Sequence, residues 1–198
     1  MSENIFYELT PVQVLNGYVN GIFPMGNDDD SITWYEANPR AILPLNKPLS
    51  VNRSLKQILN KNVFEIKLNK KFTEVMEECA ARETTWINEL IIDAYTQLHR
   101  MGYAHSVEAY SEGKLAGGLY GVAINGVFFG ESMFFKKSYA SKVSVVKLYD
   151  ILTKNNFRLL DIQMMTDVFK SFGAEHITKN KYLKELEKAL QIKCEFKL

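Results

Sequence analysis

The sequence is poor in the residues that build redox and metal sites. Its two cysteines, Cys79 and Cys194, lie far apart and in no C-x-x-C or C-x-x-H spacing, so neither a disulfide framework nor a zinc site is expected. The three histidines, His99, His105 and His176, show no Ser-His-Asp arrangement, so covalent catalysis is not indicated. No run approaches the ~18 apolar residues of a membrane span, and Met1 to Leu9 lacks the charged-then-apolar order of an export signal. A cytoplasmic protein is expected. Charge of one sign is also missing. The net +1 excludes a large uniform positive field for nucleic acid but leaves room for local groupings such as Lys136, Lys137 and Lys142.

What is present is an ordinary globular composition, 46% apolar and 24% charged over 198 residues, enough for one substantial core with a small appendage. Thr10-Pro11 opens a helix with a capping hydroxyl and a proline in its first turn. Val14, Leu15, Tyr18 and Val19 then recur at helical spacing until Gly21 and Pro24 stop it. Ile32 to Tyr35 is a short extended stretch, and Pro39 and Pro44 keep the next segment out of helix. Residues 1–45 therefore read as a small N-terminal unit and residues 46–198 as the main domain.

In the main domain, Asn52 to Leu59 reads as a short helix, and Phe64, Ile66 and Leu68 alternate with polar residues as a half-buried strand does. Two amphipathic helices follow, one carrying Phe72, Val75, Met76 and Cys79, the other Ile87, Leu90, Ile91, Ala94, Tyr95 and Leu98. Strands at His105 to Tyr110, Leu115 to Ile124 and Val127 to Phe134, joined by Glu112-Gly113 and Asn125-Gly126 turns, form an antiparallel meander. Ser141 caps a helix that returns the chain to a short strand at Phe157 to Ile162. Helices near Thr166 to Phe172 and Thr178 to Leu190 close it. The order predicts an α+β fold, a mixed, mainly antiparallel sheet flanked by helices.

This order resembles the GNAT acyltransferase core. The resemblance implies that the strands before and after the crossover helix splay apart and hold the acyl donor between them. GNAT enzymes that use acyl-coenzyme A carry an R/Q-x-x-G-x-G/A loop at the start of that helix. The corresponding Lys136-Lys137-Ser138-Tyr139-Ala140-Ser141-Lys142 contains no glycine, which disfavours a coenzyme A donor.

An ordered set of segments is more specific. Gly21-Ile22-Phe23-Pro24, Trp34 and Asn38-Pro39-Arg40 are followed by Thr85-Trp86-Ile87 and Ala104-His105-Ser106-Val107-Glu108. Then come Gly117-Gly118-Leu119-Tyr120-Gly121-Val122, Phe129-Gly130-Glu131-Ser132-Met133-Phe134, Ala140-Ser141-Lys142, Leu160-Asp161-Ile162-Gln163 and Ser171-Phe172-Gly173-Ala174. Together they span most of residues 14–182 and resemble the leucyl/phenylalanyl-tRNA-protein transferase family, with a shortened N-terminal region. Met25 replaces a common tryptophan and Val168 a common histidine, departures that touch acceptor choice and tRNA affinity while the carboxylates and the glutamine are retained.

The resemblance implies an aminoacyltransferase that moves Leu, Phe or Met from charged tRNA to acceptor proteins beginning with Arg or Lys, marking them for N-degron proteolysis. It implies no metal and no cofactor, because an aminoacyl ester is already activated; a monomer is expected. Asp161 and Gln163 stand two apart on one strand and project from one face. By resemblance this pair lies at the reaction centre, Asp161 receiving the proton or holding the amine, Gln163 able to donate to the oxyanion. A strand-end Asp capping Thr166 is the plainer alternative.

Glu131, in an apolar strand, is either exposed at a bend or buried with a partner. By resemblance it pairs with the cationic acceptor or fixes the donor's α-amine; the alternative is an ion pair with a nearby lysine. Leu119, Phe128 and Met133 are implied to line the aminoacyl pocket, or each is simply core. Trp34, Tyr35, Trp86 and Tyr120 are candidates to stack on the terminal adenine, with Trp34 equally suited to packing the small unit onto the main domain. His105 shares the buried side of Val107 and Ala109, as a hydrogen-bonded core histidine or as an orienter of a catalytic carboxylate. Two other readings stay open: a GNAT-like acyltransferase with another donor, and a non-catalytic tRNA or N-terminus binder.

Overall fold

The computed structural model describes residues 6–197; expectations for Met1 to Ile5, within the small unit and the leaderless start, lie outside the described residues, as does Leu198. Thr10 caps α1 (Pro11–Val19) in a capping box with Gln13, and Val14, Gly17 and Tyr18 turn inward. The expected stop at Gly21 and Pro24 leads directly into β1 (Phe23–Gly26), which pairs antiparallel with β2 (Ile32–Tyr35). A proline is tolerated there because the ribbon has only two strands, so one edge of β1 needs no partner.

Next comes β3 (Arg40–Leu43), which belongs to the large sheet and not to the ribbon. Residues 40–43, expected within the small unit of residues 1–45, thus pair into the large sheet, because their backbone groups are taken by two strands from the far end of the chain. The rest follows the predicted order with one strand added, β9, between the closing helices: α2 (Arg53–Asn60), β4 (Glu65–Leu68), α3 (Phe72–Ala80), α4 (Glu89–Arg100), β5 (Ala104–Ser111), β6 (Lys114–Ile124), β7 (Val127–Phe135), α5 (Ala140–Lys154), β8 (Leu159–Gln163), α6 (Asp167–Phe172), β9 (Glu175–Ile177) and α7 (Lys179–Leu190).

Seven strands lie in the order β4-β5-β6-β7-β8-β3-β9. The meander β4 to β7 is antiparallel, β7 and β8 run parallel through the α5 crossover, and β3 pairs antiparallel with both β8 and β9. Alternating strand residues feed two apolar clusters. Tyr120 and Phe129 join α1, α3, α4 and α7 in one, whereas Leu119 and Phe128 join α2, α5 and α6 in the other.

One capping expectation is corrected. The residue before α5 is Tyr139, in the left-handed region at φ 72° and without a side-chain cap bond, while Ser141 is buried inside the helix. The helix start presses on β6, where a Cβ on Gly117 would lie 2.6 Å from Cβ of Ala140. The missing side chain lets the two backbones approach. Among the described residues no helix is long and apolar enough to cross a membrane.

Candidate active site

The parallel pair β7 and β8 is short. Register runs through Val127 with Leu159, Phe128 with Leu160 and Phe129 with Asp161, and then the strands part. A cavity of about 260 Å³ opens beyond that point, lined on one side by Gly130, Glu131, Ser132 and Met133 and on the other by Leu160, Ile162, Gln163 and Met164. Because it sits where the sheet splits, it draws lining residues from both apolar clusters, Leu119 and Leu148 from one and Phe23 and Tyr120 from the other.

Local backbone irregularities aim the polar side chains. On β6, Tyr120 faces Ser132 and Gly121 faces Gly130, so Glu131 is the extra residue of a β-bulge in β7. A bulge bends the strand and re-aims a side chain. Gly121 makes it possible: a Cβ there would sit 2.2 Å from the carbonyl oxygen of Phe129. On the opposite wall Gln163 ends β8 in the left-handed region at φ 53°, and the Met164 amide returns to the Ile162 carbonyl at 2.6 Å. These two departures bring the Gln163 Nε2 to 2.8 Å from the Glu131 Oε1 it donates to.

Beneath Glu131 lie two phenols. Tyr95 donates to Glu131 Oε2 at 3.3 Å, and the Tyr18 hydroxyl makes a close hydrogen bond with that of Tyr95. No cation touches the carboxylate among the described residues. Burial therefore pushes Glu131 up to about 7; the hydrogen bonds from Tyr18, Gln163 and Tyr95 resist that rise, and the nearby Asp161 charge adds to it. Such a group is poised to exchange protons near neutral pH.

Asp161 is in a different state. It is fully buried, and Arg40 donates to it from Nε at 2.9 Å and from Nη2 at 2.7 Å. Tyr182 donates at 2.7 Å and the Gln163 backbone amide at 2.9 Å. Burial works against the Arg40 charge, but the hydrogen bonds and charge of Asp161 more than offset it and hold the guanidinium more firmly protonated than usual. Arg40 also reaches the Gly21 carbonyl at 3.1 Å and lies over the rings of Phe23 and Tyr182. This closed knot of opposite charges lies behind the cavity wall, and Asp161 is not among the lining residues.

Residues 42–187 match a model of the family described as Leucyl/phenylalanyl-tRNA protein transferase, and residues 7–38 match one of its N-terminal domain. The chain belongs to this family. Relatives with that name include one from Herpetosiphon aurantiacus, 44% identical over 95% of this chain and 98% of the relative. Another, from Synechocystis, is 42% identical over 90% of each chain, and one from Rubrobacter xylanophilus is 44% identical over 93% of this chain and 96% of its own.

Of the site residues expected from resemblance to the leucyl/phenylalanyl-tRNA-protein transferase family, Gln163, Glu131, Leu119, Met133, Trp86 and Tyr120 line the cavity. Phe128 does not. The bulge puts it on the same side as Met133, but it lies before the strands part, fully buried and stacked on Phe196 at 5.3 Å between ring centres. Trp34 lies over Gly17, where a Cβ would meet its ring at 2.1 Å, and so packs within the small unit. Tyr35 is 41% exposed and stacks near Phe23, also outside the lining. His105 bonds Asn69 at 3.1 Å and stacks on Phe196; burial pushes it down to about 4, and it orients no carboxylate.

Residues the sequence did not single out for the site are Tyr18, Tyr95, Arg40, Tyr182, Met25 and Arg82. The available signal was the use of tyrosine instead of phenylalanine at core positions of helices, since a buried hydroxyl needs a partner. The buried hydroxyl of Tyr120, on β6, has none among the described residues. Those residues also contain no group of three or more His, Cys, Asp or Glu able to hold a metal ion.

Proposed function

We propose that the split between β7 and β8 receives the side chain of a leucine, phenylalanine or methionine esterified to tRNA, and that Glu131 and Gln163 at its rim handle the acceptor's α-amine. The observation that carries this reading is a carboxylate poised near neutral pH, bonded to a glutamine amide, facing a mostly apolar hollow. The underlying activity follows from the family: the protein is an aminoacyltransferase that moves an aminoacyl group from tRNA to a protein N-terminus.

An ester of this kind needs orientation more than activation. The attacking α-amine has an ordinary pKa of about 7.7–8.0, so a fraction is neutral at pH 7. Gln163 Oε1 has no partner among the described residues and accepts from that amine, while Nε2 stays on Glu131. As nitrogen bonds to the ester carbon, its proton passes to Glu131. The C–O bond to the ribose then breaks, and the departing oxygen takes a proton back. Asp161 acts at one remove, accepting from the Gln163 backbone N–H and so fixing the residue from behind the wall. A carboxylate at the rim also suits acceptors that begin with Arg or Lys, which the reaction marks for N-degron proteolysis. Leu119 and Met133 contact the donor side chain, Met133 supplying adaptability, and Trp86 stands where the terminal adenine stacks; Tyr120, fully buried with its ring edge-on to Phe72 and Tyr95, has no free face for a base and closes the cavity from beneath. A monomer acting in the cytoplasm completes this reading.

Purified protein should transfer radiolabelled leucine or phenylalanine from charged tRNA to a peptide beginning with Arg or Lys. Absence of transfer while the charged tRNA stays intact would overturn the proposal.

A further inference from the structure

Two charged side chains line the cavity, and they differ in placement. Glu131 is half-buried; Arg82, on the segment between α3 and α4, is exposed. Its guanidinium is anchored by one nitrogen alone. Nη2 donates to Ser132 Oγ at 3.2 Å and closely to the Met133 carbonyl, while Nε and Nη1 donate to nothing among the described residues. No carboxylate in that set forms an ion pair with Arg82. A lysine or glutamine could hold one carbonyl equally well. An arginine that does so with one nitrogen presents the rest of its planar fork outward, and that fork matches the paired oxygens of a phosphate.

Trp86 lies four residues further along the same segment and lines the same cavity. On the reading above, the donor's acyl carbon lies at Glu131 and Gln163 and its base lies at Trp86. The nearest negative charge on such a donor is the phosphate on the 5′ oxygen of the terminal ribose. An exposed cation lining the cavity, such as Arg82, is placed to meet it. We propose that Arg82 grips this phosphate and so holds the nucleic-acid end of the donor at the cavity. It is a positioning residue: it touches the donor away from the bond that changes. The layout separates signs, with the cation toward the nucleic acid and the carboxylate toward the amine.

The test compares two minimal donors, 3′-O-leucyl-adenosine and its 5′-phosphate, with Arg82→Gln and Arg82→Lys. Gln can keep the carbonyl anchor without the charge. The wild type should show a KM about tenfold lower for the phosphorylated donor at low salt, as one charge-assisted contact allows, and the gap should narrow as ionic strength rises. Arg82→Gln should abolish the gap while leaving kcat, and KM for the unphosphorylated donor, within about twofold; Arg82→Lys should retain part of it. A gap that persists in Arg82→Gln would overturn the inference. So would a parallel rise of KM for both donors, which would mark Arg82 as a brace for its segment. No transfer by the wild type from any donor, charged tRNA included, would instead overturn the functional reading and the grip with it.

Discussion

Two carboxylates, one buried and one half-buried, stand on neighbouring strands a few residues from where those strands part, and they live by different rules. Asp161 on β8 is matched by a guanidinium, a phenol and a backbone amide, so its charge is answered where it sits. Glu131 on β7 is met by neutral donors, Gln163 and Tyr95 with Tyr18 behind, and keeps an open side on the cavity. The same desolvation thus has opposite outcomes. With a counter-charge it locks a structure; without one it leaves a proton that comes and goes near neutral pH.

The largest effect expected from this contrast is on stability. Asp161→Asn leaves Arg40 buried without its counter-charge and should lower unfolding free energy by about 3 kcal/mol, read from urea denaturation. A variant as stable as the wild type but inactive would erase the distinction, showing Asp161 to be chemical in the same sense as Glu131.

Next comes Glu131→Gln, which should cut kcat about a hundredfold without loss of stability. Its pH behaviour sharpens the point. Folding raises this carboxyl from its ordinary 4.5 to about 7, so the folded state holds the proton more tightly than the unfolded chain. The wild type should therefore lose stability as pH climbs from 4.5 through about 7, and Glu131→Gln should lose less over the same window. Identical pH-stability curves for the two proteins would show that Glu131 does not titrate there.

The smallest effect belongs to Tyr95→Phe. Its hydroxyl favours the ionised form of Glu131, so its removal should shift the midpoint of the pH-rate profile upward by about half a unit. A downward shift would contradict the arrangement.

Element order was legible because periodicity and turn chemistry are local: the meander, the α5 crossover and the closing helices follow from apolar spacing and from Asn125-Gly126. What escaped was set by distant partners. Arg40 to Leu43 carry too short a pattern to announce a central strand, and their place depends on residues 160–163 and 175–177. Glu131 and Glu108 look alike as carboxylates within apolar strands. Glu108, however, accepts from the backbone amides of Lys70 and Lys71 and from the hydroxyls of Ser106 and Tyr110, and is thereby closed off. Resemblance implied Phe128 for the pocket, with core as the alternative, and nothing in the sequence shows where β7 leaves β8; the bulge at Glu131 is marked only by a glycine across the ladder.

The Arg40–Asp161 pair spans 121 positions of chain. On a ribosome, where the chain emerges from its N-terminus, every strand of the meander is available before the carboxylate that answers Arg40 has been made. Until then the guanidinium must stay hydrated, and β3 cannot take its place between β8 and β9. The strand that brings Asp161 also supplies the second wall of the cavity, so a nascent chain cut short before β8 has no place to hold a donor.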